Sequence, residues 1–343
     1  MTDTPKPLNS SNSKNNILIL YTGGTFGMQE DAVLGALKPF HISNLNEYIP
    51  EINSIDIQLD ILQMSEIKDS SDFDLEDWRK LAQAIDENYS IYNSFIIIHG
   101  TDTMAYTASA LSFMLQGLDK PIIFTGAQKP LSFGNSDASS NLLGSIEICM
   151  AHIKNKVFLP EVYLFFGGLL LRANRSTKVD TESFVGFDSP HVLPITKFKG
   201  GELLFTETNT NRIPKQFSFH VSNKVGFISF YPGLNVQTLE FFLSYSNFQV
   251  VIIEAFGTGN LPSNVSKSIS NYIKEGGRAY VISQCSKGKV NQTQYKSGSF
   301  LFELGVIGLG DMTKEAALTK AMFLLANGKL DKMTTNLVRE ISL

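Results

Sequence analysis

Seven apolar runs constrain this chain more than any other feature: 17–21, 94–98, 121–125, 162–166, 225–230, 250–256 and 279–283. They are rich in β-branched and aromatic residues and hold few polar ones, Ser229 and Glu254 among them. Each therefore reads as a strand buried on both faces, the signature of a parallel sheet covered by helices. Helical patterns lie between them. Leu75, Trp78, Leu81, Ala82, Ile85 and Tyr89 form one stripe, with Asp72 or Asp74 available as its N-cap. Residues 105–115 are apolar nearly all round, as in an interior helix. Leu142, Leu143, Ile146, Cys149, Met150 and Ile153 make another stripe. Segments 262–275, 313–327 and 329–341 predict three more helices, the first starting at Pro262 and stopping at Gly276-Gly277. This alternation predicts an α/β fold, with a larger N-terminal domain on a doubly wound sheet and a smaller, Rossmann-like C-terminal α/β domain.

A chain of 343 residues is more naturally two domains than one. The rhythm breaks between Lys197 and Asn223, a stretch rich in Thr, Asn, Lys and Gly. The expected organisation is a disordered polar tail over 1–16, an N-terminal domain over 17–200, a linker over 201–223 and a C-terminal domain over 224–343. The net charge of −4 is spread without a basic block, which argues against nucleic acid or an anionic membrane as partner. The polar start does not resemble a signal peptide, and no run reaches the ~18 apolar residues of a membrane span, so a cytoplasmic protein is expected. Cys149 and Cys285 are the two cysteines and show no C-x-x-C spacing. Neither a disulfide framework nor a thiolate metal site is expected.

The strand ends are alike. They read Thr22-Gly-Gly-Thr25, Gly100-Thr101-Asp102-Thr103, Thr125-Gly126-Ala127-Gln128, Gly257-Thr-Gly-Asn260 and Ser283-Gln284-Cys285. In open α/β sheets ligands sit beyond the carboxyl ends of the strands, and these turns together describe a small polar pocket. The first is not G-x-G-x-x-G, and no Gly-Lys-Ser/Thr completes a P-loop, so nucleotide chemistry is disfavoured. Hydroxyl chemistry remains, with Thr25 or Thr101 able to attack an electrophile. His99 lacks a G-x-S-x-G context and reads as structural. A partly buried lysine could act as base, and Lys178, embedded in Arg172-Ala-Asn-Arg175-Ser-Thr-Lys178, is a candidate that spacing alone does not single out.

At these residues the chain resembles the asparaginase/glutaminase family, in its type I (cytosolic) bacterial branch. The resemblance covers nearly everything beyond the tail. It rests on Tyr21-Thr-Gly-Gly-Thr25, Asp69-Ser70-Ser71-Asp72, His99-Gly-Thr-Asp-Thr103, Asn174-Arg-Ser-Thr-Lys178, Gly257-Thr-Gly-Asn260 and Gln284-Cys-Ser-Lys-Gly-Lys-Val-Asn291. It implies hydrolysis of L-asparagine to L-aspartate and ammonia, without cofactor or metal, through an ester on Thr25. Thr101, Asp102 and Lys178 match the supporting triad. Asp102 and Ser70 match positions that hold the substrate's α-amino and α-carboxylate groups, with Asp69 and Ser71 beside them. Backbone N–H groups near Gly24 and Ala127 would stabilise the oxyanion, and Gly100 is expected among the substrate-binding residues. Asn260 matches a position contributed to a neighbouring subunit's site, which implies a homodimer or homotetramer. The alternatives are an L-glutaminase or mixed amidohydrolase, and a non-catalytic sensor of asparagine or aspartate. Two departures stand out. Many relatives carry a tyrosine in the loop after the nucleophile, and none occurs between Phe26 and Tyr48 here. The branch is also associated with allosteric activation by asparagine near Gln284-Cys285. Glu254 stands where related chains offer an arginine, so that regulation is not expected.

Overall fold

The strand Asn16–Gly23 is third in a nine-stranded sheet, flanked by Gln58–Lys68 and Ser94–Ile98, and its neighbours decide where a ligand can bind. A computed structural model describes residues 4–11, 13–30, 37–39, 42–199, 202–205, 213–245, 247–291 and 301–342. Across the sheet the strands run Lys6–Pro7, Gln58–Lys68, Asn16–Gly23, Ser94–Ile98, Ile122–Thr125, Val162–Phe166, Leu169–Arg172, Thr196–Lys199 and Glu202–Phe205. The five from Gln58–Lys68 to Val162–Phe166 are parallel, and the outer ones antiparallel. Counted in chain order, the parallel set is 2-1-3-4-5. Its strand order reverses between Asn16–Gly23 and Ser94–Ile98, where such sheets bind their ligands.

The apolar runs are unbroken because both faces are covered. Ile17, Ile19, Tyr21, Ile96, Ile98 and Ile123 belong to one buried cluster, which includes Leu142, Ile146 and Cys149 of the helix Ala138–Ile153. Leu18, Leu20, Phe95, Ile97, Ile122 and Phe124 alternate with them and are equally buried, on the face opposite. The helix Leu75–Asn88 starts with a capping box. Asp74 accepts from the N–H groups of Glu76 and Asp77, and Asp77 accepts from Asp74 N–H.

The chain divides into two compact units, 1–189 with 193–219 and 190–192 with 220–343. The second is built on four parallel strands in sequence order, Val225–Ser229, Val250–Ala255, Arg278–Ser283 and Ile307–Gly308. Its helices Val236–Tyr245 and Ser266–Lys274 pack on each other, and Lys314–Ala326 packs on the first two strands. Among the described residues no helix is long and apolar enough to cross a membrane.

Several segments depart from the sequence expectation. Gln58–Lys68 is a strand whose polar residues at alternate positions hid it, because it lies near the sheet edge with one side partly open. Within the expected tail, Lys6–Pro7 pairs with Asp60–Ile61, Leu8 and Asn9 are buried, and the Asn9 amide donates to Ile57 O at 2.9 Å while accepting from Leu59 N–H. Residues 1–3 and 12 of that tail lie outside the described residues. Within the expected linker, Gln216–Phe217 pairs with Leu115–Gln116, which ties this stretch to the first unit. Residues 329–341 form only the short turn Leu330–Lys332 in place of the expected helix. Arg339 has φ 65°, and the Glu340 carboxylate takes the N–H groups of Leu337 and Val338 that a helix would have used internally.

Candidate active site

The site is assembled first by backbone contact, and glycine permits it. A Cβ on Gly24 would stand 2.4 Å from Gly100 Cα, one on Gly100 would stand 2.6 Å from Ser70 Oγ, and one on Gly126 would stand 2.4 Å from His99 O. Gly24 also has φ 83°, in the region that favours glycine. The Thr22 hydroxyl donates to Ile98 O at 3.0 Å, and His99 N–H donates to Thr125 O at 2.9 Å. Four strand-end turns thus meet around residues 98–100, with only the small side chains of Thr22 and Ser70 reaching into the contact.

Thr25 opens a single 3-10 turn, Thr25–Gly27, and is half-buried. Phe26 anchors that turn in the core, and its carbonyl accepts from Leu131 N–H at 3.2 Å. Thr101 follows the next strand and is 8% exposed. Thr103 donates from its hydroxyl to Ser70 O at 2.6 Å, which locks the turn carrying Thr101 and Asp102 onto the turn carrying Ser70. Lys178 arrives on the short strand Thr177–Lys178, paired antiparallel with Phe187–Asp188. Ser176 and Ser189 hold that hairpin through hydrogen bonds to Arg172 O and Arg175 O. The Lys178 ammonium donates to Thr101 Oγ1 at 2.8 Å and to Asp102 Oδ1 at 2.7 Å. Its side chain is 18% exposed and that of Asp102 is 64% exposed, so the lysine is sheltered while the carboxylate faces outward.

The other candidate residues fall into four groups. Gly24, Gly100 and Ser70 are in the contact set above. Asp69 shapes the Ser70–Asp72 turn, accepting from Ser71 N–H at 3.0 Å and from the Ser71 hydroxyl at 2.9 Å. Ala127 is buried just after Gly126. Asn260 lies in the second unit, where the turn from Gly257 closes through Asn260 N–H to Phe256 O at 2.8 Å. There too the Glu254 carboxylate accepts from the Ser229 hydroxyl at 2.6 Å. Residues 31–36, most of the loop that follows Thr25 and lacks a tyrosine in this sequence, lie outside the described residues.

Two contributors were not singled out as site residues from sequence. Asn141 is buried and donates to Gly126 O and Asp137 Oδ2, each at 3.0 Å, while accepting from Gly167 N–H. It fixes the turn before Ala127, and the Asp137/Asn141 spacing of one helical turn is the sequence signal for it. Asp77 grips Lys68 at 3.0 Å, joining the strand that carries Lys68 to the helix it caps. His99 is fully buried against Phe73 and Phe124. Burial pushes its imidazole down to about 4, so it is neutral at pH 7.

Comparisons with known proteins bear on this arrangement. A family profile described as "Asparaginase, N-terminal" matches residues 16–211, and one described as "Glutaminase/Asparaginase C-terminal domain" matches 224–337. L-asparaginase 1 of Escherichia coli K12 is 37% identical over 331 residues, covering 94% of each chain. Among solved structures, the thermostable L-asparaginase from Thermococcus kodakarensis superposes with a TM-score of 0.87 at 27% identity, covering 96% of this chain and 99% of that one. L-asparaginase I from Vibrio cholerae gives a TM-score of 0.84 at 32% identity, covering 96% of this chain and 100% of that one.

Proposed function

The chain belongs to the asparaginase family, and we infer that it hydrolyses L-asparagine to L-aspartate and ammonia with Thr25 as the nucleophile. The observation that carries this reading is the sheltered Lys178, bonded at once to the Thr101 hydroxyl and the Asp102 carboxylate beside the glycine contact that brings in Thr25.

The chemistry divides into two acyl transfers. The Thr25 hydroxyl adds to the side-chain amide carbon, and backbone N–H groups near Gly24, Gly100 and Ala127 stabilise the oxyanion. Collapse of that adduct, with a proton delivered to the nitrogen, expels ammonia and leaves a β-aspartyl ester on Thr25. Water then adds to the ester and releases aspartate. Thr101 and Lys178 form the proton relay for these steps, in which the hydroxyl hands its proton to the lysine nitrogen when that nitrogen is neutral. Asp102 is the acceptor for the substrate's α-ammonium group, and the hydroxyls of Ser70 and Ser71 serve its α-carboxylate. Asp69 presents that serine pair. Asn260 completes the site of a neighbouring protomer, so the working form is a homodimer or homotetramer.

The test is ammonia release with L-asparagine and with L-glutamine, for the wild type and Thr25→Ala. The wild type is expected to prefer L-asparagine, and the variant to lose release. Faster release from L-glutamine would overturn the substrate assignment, and saturable asparagine binding without release would favour a sensor.

A further inference from the structure

We infer that His99 is a positioning residue for this reaction, whose Nδ1–H holds the Gly100 carbonyl and thereby sets the peptide that carries Thr101. The imidazole Nδ1 lies 2.7 Å from Gly100 O. A carbonyl oxygen only accepts, so the ring proton belongs on Nδ1 and the lone pair on Nε2. Nε2 is buried and has no hydrogen-bond partner among the described residues. The edge-on Phe73 ring lies 4.4 Å away, centroid to centroid, and the tilted Phe124 ring 5.9 Å away.

That environment suits a hydrocarbon better than an imidazole. Leaving a buried nitrogen unpaired costs about 1–3 kcal/mol, which a leucine at this position would avoid. What the imidazole supplies, and a hydrocarbon does not, is the Nδ1–H. Its target is the planar peptide 100–101, so restraining the oxygen also restrains the Thr101 N–H and the direction in which Thr101 leaves it. The same glycine abuts Gly24 on one side and Ser70 on another. One hydrogen bond therefore steadies Thr101 relative to the turn that presents Thr25 and to the turn that presents Ser70. This inference rests on Thr101 and Lys178 serving the hydrolysis described above.

The experiment has a spectroscopic arm and a kinetic arm. In protein labelled with ¹⁵N at histidine, His99 is expected to show a pyrrole-type Nδ1 and a pyridine-type Nε2. The opposite tautomer would overturn the inference whatever the activity. In the kinetic arm, His99→Asn places an amide nitrogen close to where Nδ1 was, whereas His99→Leu fills the pocket without a donor. The kcat for ammonia release is expected to stay within roughly threefold for H99N and to fall roughly a hundredfold for H99L, the scale of an ångström's misplacement, with KM moving much less. Equal losses in both variants, or wild-type kcat in H99L, would overturn it. Should H99L not fold, the tautomer decides. A wild type that releases no ammonia would sink the hydrolase reading but leave the tautomer result standing.

Discussion

Each unit holds a lysine against a carboxylate, and the two pairs sit in different surroundings. In the first unit Lys178 meets Asp102 at 2.7 Å with the acid 64% exposed, and the lysine spends a second donor on a threonine hydroxyl. In the second, Lys320 and Glu340 are both fully buried. There the ammonium also donates to Thr335 O at 2.7 Å, and the carboxylate also accepts from Leu337 and Val338 N–H. A lysine that exchanges a proton needs a partner able to give one and a nearby route to water. A fully buried lysine bonded to a carbonyl and a carboxylate has neither, and serves to pin the C-terminal segment where a helix was expected.

The largest effect should come from breaking the first pair. Lys178→Met is expected to lower kcat by roughly 10²–10⁴-fold, the range for general acid–base catalysis. Thermal unfolding should move little, because a partly exposed ion pair is worth about 1 kcal/mol or less. An equally large loss of stability would make Lys178 structural and erase the contrast. Breaking the second pair should do the reverse. Glu340→Leu strands Lys320 in the core and is expected to cost about 3–5 kcal/mol in urea unfolding, with ammonia release by the folded fraction little changed.

Acid should expose a separate vulnerability that belongs to neither pair. Burial pushes both His99 and His152 down to about 4, whereas an unfolded histidine titrates near 6.5. Their stabilising contribution is present above the unfolded value and is lost as pH falls through the window from about 6.5 to 4, where the unfolded chain binds the extra protons. For the fully buried His99 this amounts to about 3 kcal/mol. Unfolding free energy measured across that window should fall toward acid, and a flat profile would contradict the burial argument. The smallest effect is expected from Gly276→Ala in the second unit. This glycine has φ 96° with open space around it, so the change should cost only about 1–2 kcal/mol of backbone strain and leave kcat unaltered. Gly100→Ala, by contrast, meets Ser70 and should damage the site itself.

Much of this was legible in the sequence because it is local. Unbroken runs announced strands covered on both faces, and the glycine–threonine turns marked the strand ends at which the order reverses. What was not legible depends on distance along the chain. Nothing in the spacing of Thr101 and Lys178 says that a hairpin 77 residues downstream returns to bond that hydroxyl. The strand Gln58–Lys68 alternates because it lies near an edge, and so carries no continuous apolar run to mark it. Residues 329–341 carry a helical pattern, but the tertiary bond between Lys320 and Glu340 overrides it. The separate roles proposed for the two threonines come from resemblance to the family and not from periodicity.

The central claim is that the acyl group passes through Thr25. Acid quenching during turnover of L-asparagine, followed by peptide mass mapping, tests it most directly. The account predicts an added aspartyl group on the peptide bearing Thr25, and none in Thr25→Ala. An aspartyl group on the peptide bearing Thr101 instead would contradict it.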